Sequence, residues 1–409
     1  MAQPDTTHYD LLVIGGGAAG IFGAIVAATN NPGLSIAVLE SGPRFLTKVE
    51  ISGGGRCNVT HSCYEPKKLI ENYPRGSKEL LGPFFRFQPT DTEKWFLDRG
   101  VQLKTESDGR VFPTSDSSKT IIDCFLKETE KFGIRLMPRT GVTEVKKLGD
   151  LFHLSLKPEQ LTCSTLLLAT GSSGSGHKLA KQLGHSITPL APSLFTFKIR
   201  SPLLSGLAGT SFPSASVEIF PRDKSFLTKG AALITHWGLS GPAVLKLSSI
   251  AARELYEAAY KARLKVNWNH TVNHPETELL KYKEQFPKRS VGANSMFGFT
   301  QRFWKSLCEL STIGEELVYA DISKAKLQEL ALNISESEFE VNGKGEFKDE
   351  FVTCGGVSLS EVNFKTMESK ITPKLYFAGE ILDIDGVTGG FNFQNAWTTA
   401  WHFGMAVSS

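Results

Sequence analysis

The sequence predicts an α/β protein: a parallel sheet built from the two ends of the chain and interrupted by a long insertion. Three observations predict it. The stretch "LLVIGGGAAG", residues 11–20, runs from an apolar strand into a glycine cluster and on into a helix. "TLLLATG" (165–171) and "LYFAGE" (375–380) are further apolar strands that close on glycine. Between them, residues 191–353 turn first to strand-like alternation and then to helical periodicity.

Tyr9 to Ile14 is apolar and β-branched enough for a buried parallel strand. Gly15, Gly17 and Gly20 then match G-x-G-x-x-G, with Ala18 and Ala19 opening the helix "IFGAIVAATN". In that motif Gly15 permits the tight turn, Gly17 lets the backbone approach a pyrophosphate, and Gly20 allows close helix–strand packing. The helix start offers free N–H groups and a positive dipole end to the phosphates. "LSIAVLES" (34–41) reads as the second strand and places Glu40 about 20 residues past Gly20, where an acidic side chain binds a ribose hydroxyl. The fingerprint predicts a dinucleotide without saying which one.

Composition narrows the class. The chain has 409 residues, enough for two or three domains, and a net charge of only +3, which does not announce a nucleic-acid protein. Six cysteines stand at 57, 63, 124, 163, 308 and 354, none in a C-x-x-C pair. That disfavours zinc and thioredoxin-like chemistry, predicts no metal, and suits a reduced cytoplasmic protein. The polar start "MAQPDTTHYD" lacks the basic n-region of a signal peptide, and no apolar run is long enough for a membrane span.

Several stretches together resemble one family. They are "SGGGRCN" (52–58), "GRVFPTS" (109–115), "LLATGSSGSGHKLAKQLGHSITPLAPSL" (167–194), "THWGLSGPAVLKLS" (235–248), "CGGVSLSEV" (354–362) and "GEILDIDGVTGGFNFQNA" (379–396). They run over nearly the whole chain and resemble the BaiN-like (YhiN-like) flavoproteins, also labelled aminoacetone-oxidase-family FAD-binding enzymes. The resemblance implies a discontinuous Rossmann FAD domain of the two-dinucleotide-binding type with an inserted β-barrel and helical subdomain. It implies that Gly15, Gly17, Ala18, Ala19 and Gly20 cradle the pyrophosphate and that Glu40 takes the adenosine ribose. Val142, in a strand "TGVTEV", would line the adenine. Ser52, Gly53, Gly54, Arg56, Cys57 and Asn58 would form a loop at the flavin, and Ala169, Thr170 and Gly171 would pass close to the FAD. Gly379, Glu380 and Asp383 would meet the pyrophosphate and ribityl chain. Gly389, Gly390, Phe391 and Asn392 would lead a helix facing the flavin N1–C2=O edge, stabilising charge on reduced flavin. Phe391 stands where the family often has tyrosine.

On this reading residues 1–190 and 355–409 form the FAD domain. Residues 191–265 and 334–354 form a β-barrel or sheet, with a helix over "IAARELYEAAYKARLK" (250–265). Residues 266–333 form a helical subdomain whose helices are "PETELLKYKEQF", "FTQRFWKSLCEL" and "SKAKLQELALNI". No second dinucleotide fingerprint with an acidic partner occurs, so NAD(P)H, as reductant, is expected to visit transiently rather than to bind in its own Rossmann domain.

FAD carries the redox step, and a reductase also needs a proton donor across the substrate double bond. The first candidate is Cys57, with Arg56 beside it to shift its pKa; the alternative is a small residue packed at the flavin. The second is His236 in "THWGLSGP", expected at a domain junction over the flavin; the alternative is a structural histidine. For substrate, Lys261 to Lys305 holds nine lysines and arginines against three glutamates, interleaved with Trp268, Tyr282, Phe286, Phe297, Phe299, Phe303 and Trp304. Cations with stacking rings suit RNA; a solvated helix face over an ordinary core is the plainer alternative. Family members have been linked to dihydrouridine formation in ribosomal RNA, to bile-acid or steroid enone reduction, and to aminoacetone oxidation. The expectations are therefore an rRNA uridine reductase, a small-molecule flavin oxidase or reductase, or a non-catalytic RNA-binding factor that retains FAD.

Overall fold

The computed structural model describes residues 7–156, 159–345 and 352–407. The chain divides into two compact units, Met1–Leu190 with Thr353–Ser409, and Ala191–Val352.

In the first unit five strands run parallel, in the order Leu375–Phe377, Gln160–Leu168, Thr7–Ile14, Ile36–Leu39 and Arg135–Met137. Ile14 pairs with both Leu39 and Leu168, and Leu168 with Phe377, so the carboxyl ends are level. Ile36–Leu39 is buried throughout, as are the last four residues of Thr7–Ile14, because both faces of the sheet are covered. The helix Ala18–Asn30 lies against the C-terminal helix Phe391–Val407. Glycine makes that approach possible: a Cβ on Gly404 would stand 2.6 Å from Val26. Phe22, Trp95, Phe125 and Trp397 meet ring to ring beneath them.

Val142 does not lie on a strand. The chain leaves Arg135–Met137 and resumes pairing only at the hairpin Glu144–Leu148 and Leu151–Ser155. The intervening backbone is used elsewhere: Arg139 N–H donates to the Gly42 carbonyl and Thr140 N–H to the Glu40 carbonyl. The connection is thereby tied to the Glu40 loop instead of a ladder.

The second unit holds a closed barrel of six strands: Phe197–Ile199, Gly238–Ser240, Phe226–Thr235, Ser211–Phe220, Lys261–Asn267 and Ser337–Lys344, which returns to the first. The helix expected over 250–265 is corrected here. Helices cover Pro242–Ile250 and Ala252–Glu257, and Lys261–Asn267 is a barrel strand. Ala262, Leu264 and Val266 point inward and Lys261, Arg263 and Lys265 outward, a period of two rather than 3.6.

Helices Pro275–Gln285, Gln301–Leu310 and Lys324–Ser335 share one hydrophobic core with the barrel. Phe212 and Trp268 of the barrel pack on Phe303 of the helices. The rings expected to interleave with cations are therefore largely core. Trp268, Phe303 and Trp304 are fully buried, and Tyr282, Phe297 and Phe299 pack half-buried against them.

Candidate functional site

Level strand ends bring Gly15, Glu40, Ala169 and Gly379 to one edge of the parallel sheet, where open α/β sheets bind ligands. Ladder-closing bonds fix the turns: Gly15 N–H donates to the Leu39 carbonyl and Ala169 N–H to that of Ile14. Gly15 takes φ +110°, and a Cβ there would lie 2.4 Å from the Ala169 carbonyl oxygen. A Cβ on Gly20 would lie 1.9 Å from the Gly15 carbonyl oxygen. A Cβ on Gly17 would meet nothing within 4 Å. Gly15 and Gly20 thus answer to packing, whereas Gly17 faces open space at the N-cap of a helix with no side-chain cap and no acid in its first turn. A bare N-terminus behind an open cradle fits a pyrophosphate.

Glu40 is held ready beside it. Its two oxygens accept the N–H groups of Gly16 (2.9 Å) and Gly42 (2.7 Å). A carboxylate has about four acceptor positions, so it retains capacity for ribose hydroxyls.

On the far side, Gly171 (φ +59°) follows Thr170, and its Cβ would lie 3.6 Å from the Glu380 carboxylate. Glu380 pairs with Lys48 at 2.8 Å, and Lys48 also reaches Ser172. Lys48 brings a cation to the cradle, and no sequence motif pointed to it. Gly379 sits against Ala19, its N–H donating to Thr399 Oγ1 at 2.9 Å. Asp383 donates its N–H to the Val357 carbonyl.

The C-terminal helix is aimed by several groups. Gly389 and Gly390 take φ +127° and +94° at its start. Asn58 accepts from Gly390 N–H (2.9 Å) and donates to the Thr60 carbonyl (2.9 Å), in the amide orientation that satisfies both ends. Asn392 clamps both backbone groups of Gly386. Tyr73 donates to the Phe391 carbonyl, and His61 stacks on the Phe391 ring at 4.7 Å. Tyr73 and His61 carried no sequence signal, since only the fold brings them to this helix. The polar groups of Asn58 and Asn392 serve the backbone around the helix start.

The glycine loop begins as helix. Thr47–Ile51 is helical, and the chain departs at Ser52, Gly53 and Gly54. Cys57 follows at φ +60°, fully buried, and burial pushes its thiol up to about 12. Arg56 does not act on it. Its guanidinium bonds Glu106 at 2.7 Å and lies 4.0 Å above the Phe112 ring. Arg56 anchors the loop to the small sheet of Thr60–His61, Arg110–Pro113 and Leu103–Thr105.

His236 belongs to the other unit, exposed in the turn between Phe226–Thr235 and Gly238–Ser240. Most of the cations of Lys261–Lys305 have local partners. Arg263 faces Glu338 on the neighbouring strand, Lys265 pairs with Glu336 just before that strand, Lys281 with Glu278, and Lys305 with Glu315. Arg289 donates to the Tyr282 hydroxyl and Lys283 to the Ile322 carbonyl. Among the described residues there is no cluster fit for a metal ion, and no helix is long and apolar enough to cross a membrane.

Comparison with known proteins identifies this arrangement. The model of the HI0933-like protein Rossmann domain matches residues 9–406. The ribosomal RNA dihydrouridine synthase of Escherichia coli is 30% identical over 405 residues, 96% of either chain. The 3-dehydro-bile acid delta(4,6)-reductase of Clostridium scindens is 26% identical over 97% of this chain and 98% of its own. The fold is that of 3-ketosteroid-delta4-(5alpha)-dehydrogenase from Rhodococcus jostii, matched at a TM-score of 0.53 and 12% identity over 100% of this chain and 98% of that one. With its open glycine cradle and near-complete family match, the chain belongs to the HI0933-like Rossmann family of FAD-dependent oxidoreductases.

Proposed function

We propose that this protein reduces a carbon–carbon double bond conjugated to a carbonyl, that its substrate is uridine in large-subunit ribosomal RNA, and that NAD(P)H supplies the electrons. The observation that carries the reading is the near-full-length likeness to a relative named for dihydrouridine formation in ribosomal RNA. A second relative, named for a bile-acid reduction, supports the reaction class. A uracil ring and a dehydro-steroid ketone share one reactive group, an alkene conjugated to C=O.

Bound FAD would supply hydride transfer. The chain's own residues do the rest. The helix Ala18–Asn30 would hold the pyrophosphate at its uncapped N-terminus with Lys48 as a nearby cation, and Glu40 would hold the ribose. Gly389 and Gly390 shape the start of the C-terminal helix, whose dipole would favour negative charge on a reduced flavin held beside it. Hydride adds at uridine C6, and a proton must reach C5. The two donor candidates are His236, exposed on the barrel unit, and Cys57, and substitution of each decides between them. Cys57 is buried and keeps its proton, which suits packing under the glycine loop. The balance is uridine plus NAD(P)H plus one proton giving dihydrouridine and NAD(P)+. The site of action would be the cytoplasm, where ribosomes are assembled.

Mass spectrometry of rRNA nucleosides from cells with and without the protein tests this. Loss of dihydrouridine in the deletion strain, restored by the wild-type chain, is the expected result. Unchanged dihydrouridine, with NAD(P)H oxidation stimulated by a 3-keto-4-ene steroid, would move the substrate to the small-molecule class.

A further inference from the structure

We propose that the hollow walled by His61, Ser62, Cys63, Tyr64, Glu65 and Lys68 receives the substrate's ring, a planar ring whose alkene is conjugated to C=O, and that Ser62 is the hydroxyl that orients its carbonyl. The proposal rests on the reductase reading above and adds the place where that substrate sits.

The hollow measures about 640 Å³, a size that admits a nucleoside or a steroid. His61 ties it to the start of the C-terminal helix. Its imidazole lines the hollow and stacks on the Phe391 ring at 4.7 Å and 22°. A Cβ on Gly389 would lie 3.5 Å from His61 Cδ2. The helix start that would sit beside the flavin is therefore one side chain away from the hollow. That side chain is fixed. His61 Nε2 donates to the Asp108 carbonyl at 3.2 Å, and Gly109, at φ +85°, leaves room for the ring where a Cβ would stand 2.5 Å from Cε1. Thr60 and His61 pair with Val111 and Arg110, and Ser62 N–H donates to the Gly109 carbonyl at 2.8 Å. The wall is held before a ligand arrives, which spares binding the cost of ordering it.

The side chains offer what such a ring asks for. A uracil presents C=O, N–H and C=O along one edge, and a steroid enone presents one C=O. Ser62 Oγ has no partner among the described residues, so its hydroxyl proton is available to a carbonyl oxygen. Tyr64 is spoken for, its hydroxyl donating to Glu93 at 3.0 Å. Glu65 and Lys68 pair at 2.8 Å in an exposed position, and a pair of that kind opens readily to accept an N–H and to donate to a carbonyl. Because Lys68 is matched by Glu65, the hollow suits a neutral ring rather than a phosphate. His61 and Pro66 supply apolar surface for the ring's face.

Cys63 supplies the test, because it is half-buried in this wall while Cys57, Cys124, Cys163, Cys308 and Cys354 are buried. The purified FAD-loaded protein is treated with N-ethylmaleimide, and labelling of Cys63 is followed by peptide mass spectrometry with oligouridylate, oligoadenylate or a 3-keto-4-ene steroid present. Oligouridylate at about ten times its Kd should slow the labelling about tenfold. Oligoadenylate, which has no alkene conjugated to C=O, should not protect. S62A should raise KM roughly three- to tenfold, more than it lowers kcat, for the loss of one hydrogen bond. S62F, whose ring intrudes on the hollow, should abolish the protection with flavin absorbance intact. Labelling unchanged by every ligand, in a protein that forms dihydrouridine in ribosomal RNA, overturns the hollow and leaves the RNA reading standing. Equal protection by oligoadenylate overturns the assignment to a conjugated ring, and an unchanged KM in S62A overturns the role of Ser62. Protection by the steroid alone upholds the hollow and overturns the RNA reading.

Discussion

Arg75 grips Asp385 through a two-point ion pair, Nε to one carboxylate oxygen and Nη2 to the other, with Asp385 fully buried. The two residues are also bridged through their backbones. This pair holds the segment leading to Gly389 and Gly390 in place.

Breaking it is costly because a carboxylate would stay buried without its cation. R75M should lower unfolding free energy by about 3–5 kcal/mol. The double variant R75M/D385L should recover a large part of that loss. Urea denaturation checks both, and equal loss in the single and double variants would refute the account.

Gly17 and Gly20 should fail differently. G17A adds a methyl to open space at φ −87°, which any residue adopts. Its fold should hold within about 0.5 kcal/mol, while the purified protein loses its yellow colour because the methyl fills the cradle. G20A drives a Cβ into the Gly15 carbonyl and should cost about 1–3 kcal/mol or more before any cofactor is added. Flavin absorbance and thermal unfolding of the apoprotein separate the two effects.

Substitution at the proton-donor candidates gives opposite expectations. H236N should lower turnover by about 10²–10⁴, the usual worth of a general acid. C57A should keep turnover of the same order as wild type, because the thiol is fully buried and burial pushes it up to about 12, which makes it a weak acid. A collapse of turnover in C57A with flavin content intact would return the donor role to Cys57.

Acid should destabilise the protein. Burial holds His61, His177, His185 and His402 below the ordinary imidazole value of 6.5. Their stabilising effect is complete above pH 6.5. As pH falls through that value the unfolded chain takes up protons first, so stability declines until the folded-state values are passed. His185 is one of them, its burial outweighing the opposing pull of Glu361 at 3.1 Å, with Ser369 at 2.9 Å on the other ring nitrogen. Urea unfolding at descending pH should show the decline, and H185Q should make it shallower.

Local chemistry was legible along the chain. The apolar run ending at Ile14, the spacing of Gly15, Gly17 and Gly20, and Glu40 after the second strand follow from short-range rules. Strand, turn and helix there succeed one another within 30 residues of the start. The small and basic residues of Lys261–Asn267 suit a helix as well as a strand. Only the strands Ser211–Phe220 and Ser337–Lys344 on either side make its alternation decisive. The same holds for Trp268, Phe303 and Trp304, whose spacing among cations looks like a surface until the barrel closes over them.

The dinucleotide cradle was therefore written in residue order, because turn geometry and helix-start N–H groups depend on neighbours a few positions apart. The partnerships of Arg75 with Asp385, Lys48 with Glu380 and Asn58 with Gly390 join residues more than 300 positions apart. Folding alone sets those distances, and with them which charges are paired inside the molecule.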